Sequence, residues 1–225
     1  MKNLYRISGV ILLIFFIHAC KKDEDIIIKD TDGNSYSPVV IGTQTWLTEN
    51  LKTTKFNDGN VIPCLTDNMA WNDLKTQGYC WYDNSETTYK NMYGALYNWY
   101  AVNSGNLCPT GWHVPSMEEW NVLIEYLGGV DIAGGKLKEQ GTTHWLNSNT
   151  GATNNSGFTG LPSGGRFQNG SFFYAKMECN WWSNTVLYSN EITFGSLVHL
   201  DFDHASALSG ATNKNYGHSV RCIKD

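Results

Sequence analysis

The sequence predicts an α+β domain, with helices in its first half and an irregular, β-rich second half. Three observations carry this. A strongly capped amphipathic segment lies near the middle of the chain, and another apolar run with helical spacing precedes it. Beyond residue 129, short aromatic or alternating runs are separated by turns rich in Gly, Asn, Ser and Thr. Aromatic residues make up 13% of the 225 residues and charged residues only 16%, which marks a chain with a large buried core rather than a disordered one.

The elements follow in order. Val39 to Leu47 reads as two β-rich runs around Gly42, an opening hairpin. Asn57-Asp58-Gly59-Asn60 and Pro63 mark a loop, and Tyr79 to Tyr82 is an aromatic cluster. Tyr93 to Val102 spaces its apolar residues helically and is expected to form the first helix. The second has a sharper start. Ser116 and Glu119 form a capping box, in which the serine hydroxyl takes the amide of the third helical residue and the glutamate reaches back to the cap. Trp120, Leu123, Ile124 and Leu127 then share one face, and Gly128-Gly129 supply a left-handed C-terminus. No long helical period follows. Strands are expected within Ser171 to Lys176, Asn180 to Thr185, Leu197 to Phe202 and His218 to Ile223.

The N-terminus reads as an export signal over residues 1–19. Lys2 and Arg6 precede an apolar run from Ile7 to Ile17, too short to span roughly 30 Å of hydrocarbon. Ile17-His18-Ala19-Cys20 resembles the lipobox of bacterial lipoproteins, in which the cysteine is acylated and becomes the new N-terminus. Lys21 to Asp25 resembles the Lys-plus-acidic export signal of surface-displayed lipoproteins, although a solvated spacer fits the same residues. Residues 20–37 are then a lipidated N-terminus and flexible tether, and residues 38–225 the domain. The expected site is the outer membrane, facing the cell surface or the periplasm. Membrane contact is through the lipid, since two or more acyl chains anchor stably where one does not. Without Lys2 and Arg6 the net charge moves from −5 to about −7, which argues against a nucleic-acid partner.

Five cysteines remain after Cys20, and in an exported chain they are disulfide candidates. The expected pairs are Cys108–Cys222 and Cys64–Cys80, with Cys179 left over; the sequence alone does not fix the connectivity. None forms a Cys-x-x-Cys pair of zinc type.

Six ordered blocks are more specific than any composition. They are the runs Val40 to Leu51, Tyr93 to Tyr100 and Cys108 to Ser116, the pair Glu119-Trp120, the run Trp181 to Ser183, and Ser219 to Cys222. Together they closely resemble the Fibrobacter succinogenes major paralogous domain over roughly residues 38–225. The resemblance implies a fold related to C-type lectin-like and formylglycine-generating-enzyme-like domains, with two helices, a small twisted antiparallel sheet and long irregular loops. It also implies export, often as a lipoprotein, and fixes no biochemical role. Trp46, Trp99, Trp112, Trp120 and Trp182 are expected in the core, and Arg221 is expected to anchor the terminal strand through an internal ion pair.

Lectin-type calcium binding would need a Glu-Pro-Asn or Gln-Pro-Asp loop followed by Trp-Asn-Asp on a strand. Only Trp71-Asn72-Asp73 is present, and it precedes both expected helices. Calcium held by Asp201, Asp203 and Asn213 stays open, because hard cations need only clustered oxygens. No cofactor is otherwise indicated. An oxidase of the formylglycine-generating type would need two neighbouring reactive cysteines, and Cys179 and Cys222 are far apart. His113, His199 and His204 lack metal-ligand spacing, and Pro162 to Arg166 reads as a turn rather than a phosphate loop. What remains is a binding module. Its candidate ligand contacts are Trp145, Trp181 and Tyr188, with Phe172, Phe173 and Tyr174 beside them, and its ligand a glycan or a protein. The expectation is a non-catalytic recognition or adhesion lipoprotein. A structural envelope protein comes second and an enzyme third.

Overall fold

The computed structural model describes residues 26–189 and 192–225, so the export signal and Cys20 lie outside the described residues. The architecture is mixed, with five helices and several small antiparallel sheets. A short ladder, β1 (Ile28–Lys29) with β2 (Ser35–Tyr36), leads into the hairpin β3 (Pro38–Ile41) and β4 (Gln44–Leu47). Helix α1 (Asn68–Asp73) precedes β5 (Tyr79–Trp81), a 3-10 turn at Tyr82–Asn84 and helix α2 (Glu86–Tyr93). Then come β6 (Ala95–Tyr97), α3 (Trp99–Val102) and β7 (Trp112–His113). Helices α4 (Met117–Tyr126) and α5 (Val130–Leu137) are followed by the ladder β8 (Gly165–Arg166) and β9 (Phe172–Phe173). The long hairpin β10 (Glu178–Ser189) and β11 (Ile192–Asp201) takes β12 (Leu208–Thr212) on its edge. The final strand β13 (Ile223–Lys224) inserts between β4 and β7, giving the order β3-β4-β13-β7.

The opening hairpin and α4 form as the sequence predicts. Gly42 turns the hairpin with φ 62°, and Ser116 and Glu119 complete both halves of the capping box. At the other end the Gly129 amide donates to the Ile124 carbonyl and the Gly128 amide to the Glu125 carbonyl, the paired bonds of a Schellman motif.

Several expectations need correction. Tyr93 to Val102 is not one helix: it is the end of α2, a break at Gly94, strand β6, and the single turn α3 capped by Asn98. Gly94 takes φ 73°, and a Cβ there would lie 2.7 Å from the Leu51 carbonyl oxygen, so the chain must turn at that point. Helix α5 was not expected, because Gly134-Gly135 lowers helix propensity. The structure uses those glycines for close approach, with Gly134 against the Ser206 carbonyl and Gly135 against that of Gly151. Finally, Cys64 and Cys80 are free thiols. Cys64 bridges Tyr79 in register, so its side chain shares that residue's face while Cys80, next along β5, points the other way into a small core with Trp71 and Leu96. Cys108–Cys222 does form, closing a separation of 114 residues, and Cys179 is free and buried.

Two large aromatic cores share one wall. Trp182 packs with Leu47, Tyr97 and Trp99, whereas its neighbour Trp181 packs with Trp46, Trp120 and Phe158. Successive strand residues face opposite ways, so β10 is buried on both sides from Cys179 to Ser183, and neither tryptophan is accessible to solvent. All five tryptophans expected in the core are there. Arg221 is buried too, but without an ion pair. Its guanidinium donates to the carbonyls of Leu47 and Phe158 and to Asn50 Oδ1, and lies 4.2 Å from the centre of the Phe158 ring. Burial lowers its pKa to about 10, and it stays charged at neutral pH. Among the described residues no helix is long and apolar enough to cross a membrane.

Candidate functional site

An aromatic surface forms where the α2 region meets the loop after β9. Tyr82 lies 5.2 Å from Tyr89 in edge-to-face contact and 5.2 Å from Phe172. Tyr89 stacks on Tyr93 one helical turn later at 5.8 Å, as an i,i+4 pair on α2 must. Tyr174 follows Phe172 and Phe173 and is 50% exposed. Tyr82, Tyr89 and Phe172 are half-buried, so each offers an edge or face to solvent. The rings are held from below. Arg166, wholly buried, donates to the carbonyls of Leu65, Thr66 and Gly170 and to Asn68 Oδ1, and its guanidinium lies 5.0 Å from the Phe172 ring.

The backbone on both sides of this surface is left-handed. Asp83 and Asn84, directly after Tyr82, have φ 52° and 54°; Tyr174 and Lys176 have φ 52° and 71°. Asp and Asn enter this region readily, whereas it is costly for tyrosine and lysine, so Tyr174 and Lys176 are the strained pair. Polar groups border the rings. Glu86 pairs with Lys90 at 2.8 Å, and Glu139 with His144 at 2.9 Å. Burial pushes the Tyr82 hydroxyl pKa up, so that it remains a neutral hydrogen-bonding group.

A second cluster sits at the base of the long hairpin. Register places Glu178 opposite Asp201 and Asn180 opposite His199, all on one face. His199 bonds Asn180 Oδ1 and Asp201 Oδ2, each at 3.0 Å, and His204 Nδ1 lies 2.7 Å from Asp203 Oδ1. Asp201, Asp203 and His204 can bring ligand atoms within 4.8 Å of one another. Burial, with Asp201 and Asp203 adding to it, raises the Glu178 pKa against the pull of His199.

Behind this cluster the Lys138 ammonium is buried and donates to the carbonyls of Thr150, Asp201 and His204. Burial lowers its pKa to about 8. A calcium ion takes six to eight oxygens. Here three carboxylates, Glu178, Asp201 and Asp203, share the place with two imidazoles and an ammonium that fills a carbonyl cage. Asn213 does not join them: it follows Thr212, which pairs with Gly195 at the far end of the β11–β12 ladder from Asp201.

The other expected site residues disperse. Trp145 and Trp181 are core residues, 2% and 0% exposed, their indole N–H groups donating to the Gly160 carbonyl and to Asn50 Oδ1. They are not ligand contacts. Their aromatic type signalled burial as well as binding, and only the two-sided packing of β10 decided between these. Tyr188 is 76% exposed but lies near the tip of the long hairpin, ten residues along β10 from Glu178. Phe173 is buried, Phe172 belongs to the surface described above, and the exposed Tyr174 packs edge-on against Phe173 at 5.5 Å. Tyr82 and Tyr89 were missed, since no periodicity links them to Phe172. Trp71-Asn72-Asp73 lies on helix α1, not on a strand. The Cys179 thiol, held by Ser163 at 3.3 Å, is pushed up to about 12 by burial and is inert as a nucleophile at neutral pH.

No curated protein and no solved structure matches the chain significantly. The family profile of the Fibrobacter succinogenes major domain matches residues 39–224, from the opening hairpin to the last strand. The chain therefore belongs to the Fibrobacter succinogenes major domain family.

Proposed function

We propose that the protein is an exported lipoprotein, anchored through Cys20 in the outer membrane and facing the cell surface, whose domain is a non-catalytic recognition module for a glycan. The lectin-like relation of the fold belongs to the same reading. One observation carries it: the Tyr82–Tyr89–Phe172 surface, braced by Arg166 and flanked by left-handed backbone at four non-glycine residues. Aromatic faces stack on the apolar faces of sugar rings, while bordering carboxylates and hydroxyls take hydroxyl groups; both chemistries are present here. The buried thiols of Cys80 and Cys179, each with a pKa pushed up to about 12, fit a domain that binds rather than reacts.

Affinity electrophoresis against a panel of soluble envelope and plant polysaccharides tests the ligand class. Tyr82→Ala and Tyr89→Ala are expected to weaken retention by about tenfold each, with unchanged thermal unfolding. Retention that is absent throughout, or indifferent to both substitutions, would remove this reading.

A structural role in envelope assembly is the second reading. The apolar end of the long hairpin favours it, with Leu187, Tyr188 and Ile192 between 50% and 76% exposed. Deletion would then cause envelope defects that Leu187→Asp reproduces and Tyr89→Ala does not.

A further inference from the structure

The sheet β3-β4-β13-β7 is covered on one face, and its other face is closed at Leu47 and Trp112 but open along Val40. Inward it presents Ile41, Trp46 and Ile223 to the core under α4. Outward it presents the exposed Val40 beside its cross-strand partner Thr45, and the exposed Lys224 beside the buried Trp112, which closes the end of the face. With Ile26, Ile27 and Ile28 these residues line a groove of about 610 Å³. Ile26, Ile27 and Val40 are 69%, 58% and 71% exposed, a concentration of branched aliphatic side chains that a soluble surface does not need.

Chain length selects the occupant. Cys20 lies six residues before Ile26. At no more than about 3.6 Å per residue, an acylated Cys20 leaves Ile26 within roughly 20 Å of its lipid. The groove begins at Ile26 and therefore lies within the tether's reach of the bilayer. Its composition fits that neighbour, with aliphatic groups in the middle and the Lys224 ammonium at the edge. This is the pattern in which apolar side chains enter the boundary between headgroups and acyl chains while lysine stems reach back to water.

We infer that this groove is a membrane-docking face, with Ile26, Ile27 and Val40 resting in the outer boundary of the bilayer that holds the lipid anchor. The inference rests on the proposed acylation of Cys20. Docking adds a second, local attachment to the anchor and fixes which side of the domain faces away from the membrane. A tethered domain without it would tumble freely at the end of its linker.

The test uses the full chain, purified from membranes in a Cys64→Ser background and reconstituted in phosphatidylcholine vesicles. A spin label is placed at Val40→Cys or, as an equally exposed control, at Tyr188→Cys. Intact mass first reports whether Cys20 carries diacylglycerol. The expected result is a label at position 40 several-fold less accessible to a water-borne nickel complex than the label at 188, and more accessible to oxygen. Acylated Cys20 with both labels equally wet, or both equally dry, would overturn the docking face and leave the anchor standing. An unmodified Cys20 would overturn both. Protection at position 40 that rises with protein density in the vesicles would assign the groove to a second copy of the chain and also overturn the inference.

Discussion

His218 is a buried imidazole with neither ring nitrogen hydrogen-bonded, packed edge-on against Trp182 at 4.6 Å. Burial drives its pKa down to about 3, with a smaller contribution from His199. The unfolded chain takes up this proton near pH 6.5 and the folded chain does not. Stability should therefore be unaffected above pH 6.5 and fall below it, by about 1.4 kcal/mol per pH unit toward pH 3. Urea midpoints between pH 7.5 and 4.5 should show that slope, and His218→Phe should flatten it. An unchanged slope in the variant would place the titration elsewhere. His113 has the opposite sign. Desolvation pulls its pKa down, but hydrogen bonds to Asp225 at 2.6 Å and Glu119 at 2.8 Å outweigh this and raise it. That stabilisation is complete below pH 6.5 and is lost as pH rises through the raised pKa, so His113→Gln should cost more stability at pH 6 than at pH 8.5.

At the scale of elements, α4 and α5 give contrasting tests. Ser116 caps α4 through the Glu119 amide, and Ser116→Ala should cost about 1 kcal/mol in chemical denaturation. In α5, replacing Gly134 by alanine would gain up to about 1 kcal/mol if intrinsic propensity decided the outcome. The structure predicts the reverse. A Cβ at Gly134 would lie 2.1 Å from the Ser206 carbonyl oxygen, so Gly134→Ala should destabilise by about 1–3 kcal/mol. A rise in the thermal midpoint would show that the loop carrying Ser206 yields easily. The same contrast explains what could be read in advance: α4 announces itself because its caps and its apolar face are local, whereas α5 exists because two glycines let a distant loop approach.

Over the whole molecule, Cys108–Cys222 ties the final strand to the segment before α4 across 114 residues. A loop of that length is worth about 4–5 kcal/mol by chain entropy, and reduction should lower the unfolding free energy by about that amount. The thiols should also differ in reactivity. In the native protein iodoacetamide should label Cys64, which is exposed, before Cys80 or Cys179, which are buried. Peptide mass mapping would show this order, and early labelling of Cys179 would mean that the wall formed by β10 opens readily.

The sequence by itself determined the features set by neighbours in the chain. These are the hairpin at Gly42, the capped helix from Ser116 and the family blocks. Local hydrogen bonds and covalent geometry act over a few residues, so a linear reading recovers them. Tertiary structure decided what depends on which faces meet. It sent Trp181 and Trp182 into two different cores and gave Arg221 carbonyl and amide acceptors in place of a carboxylate. It turned Cys64 and Cys80 apart, and it gathered Tyr82, Tyr89 and Phe172 into one surface. Aromatic side chains serve equally well as core and as binding platform. In a chain this rich in them, only packing on both sides of a strand separates the two uses.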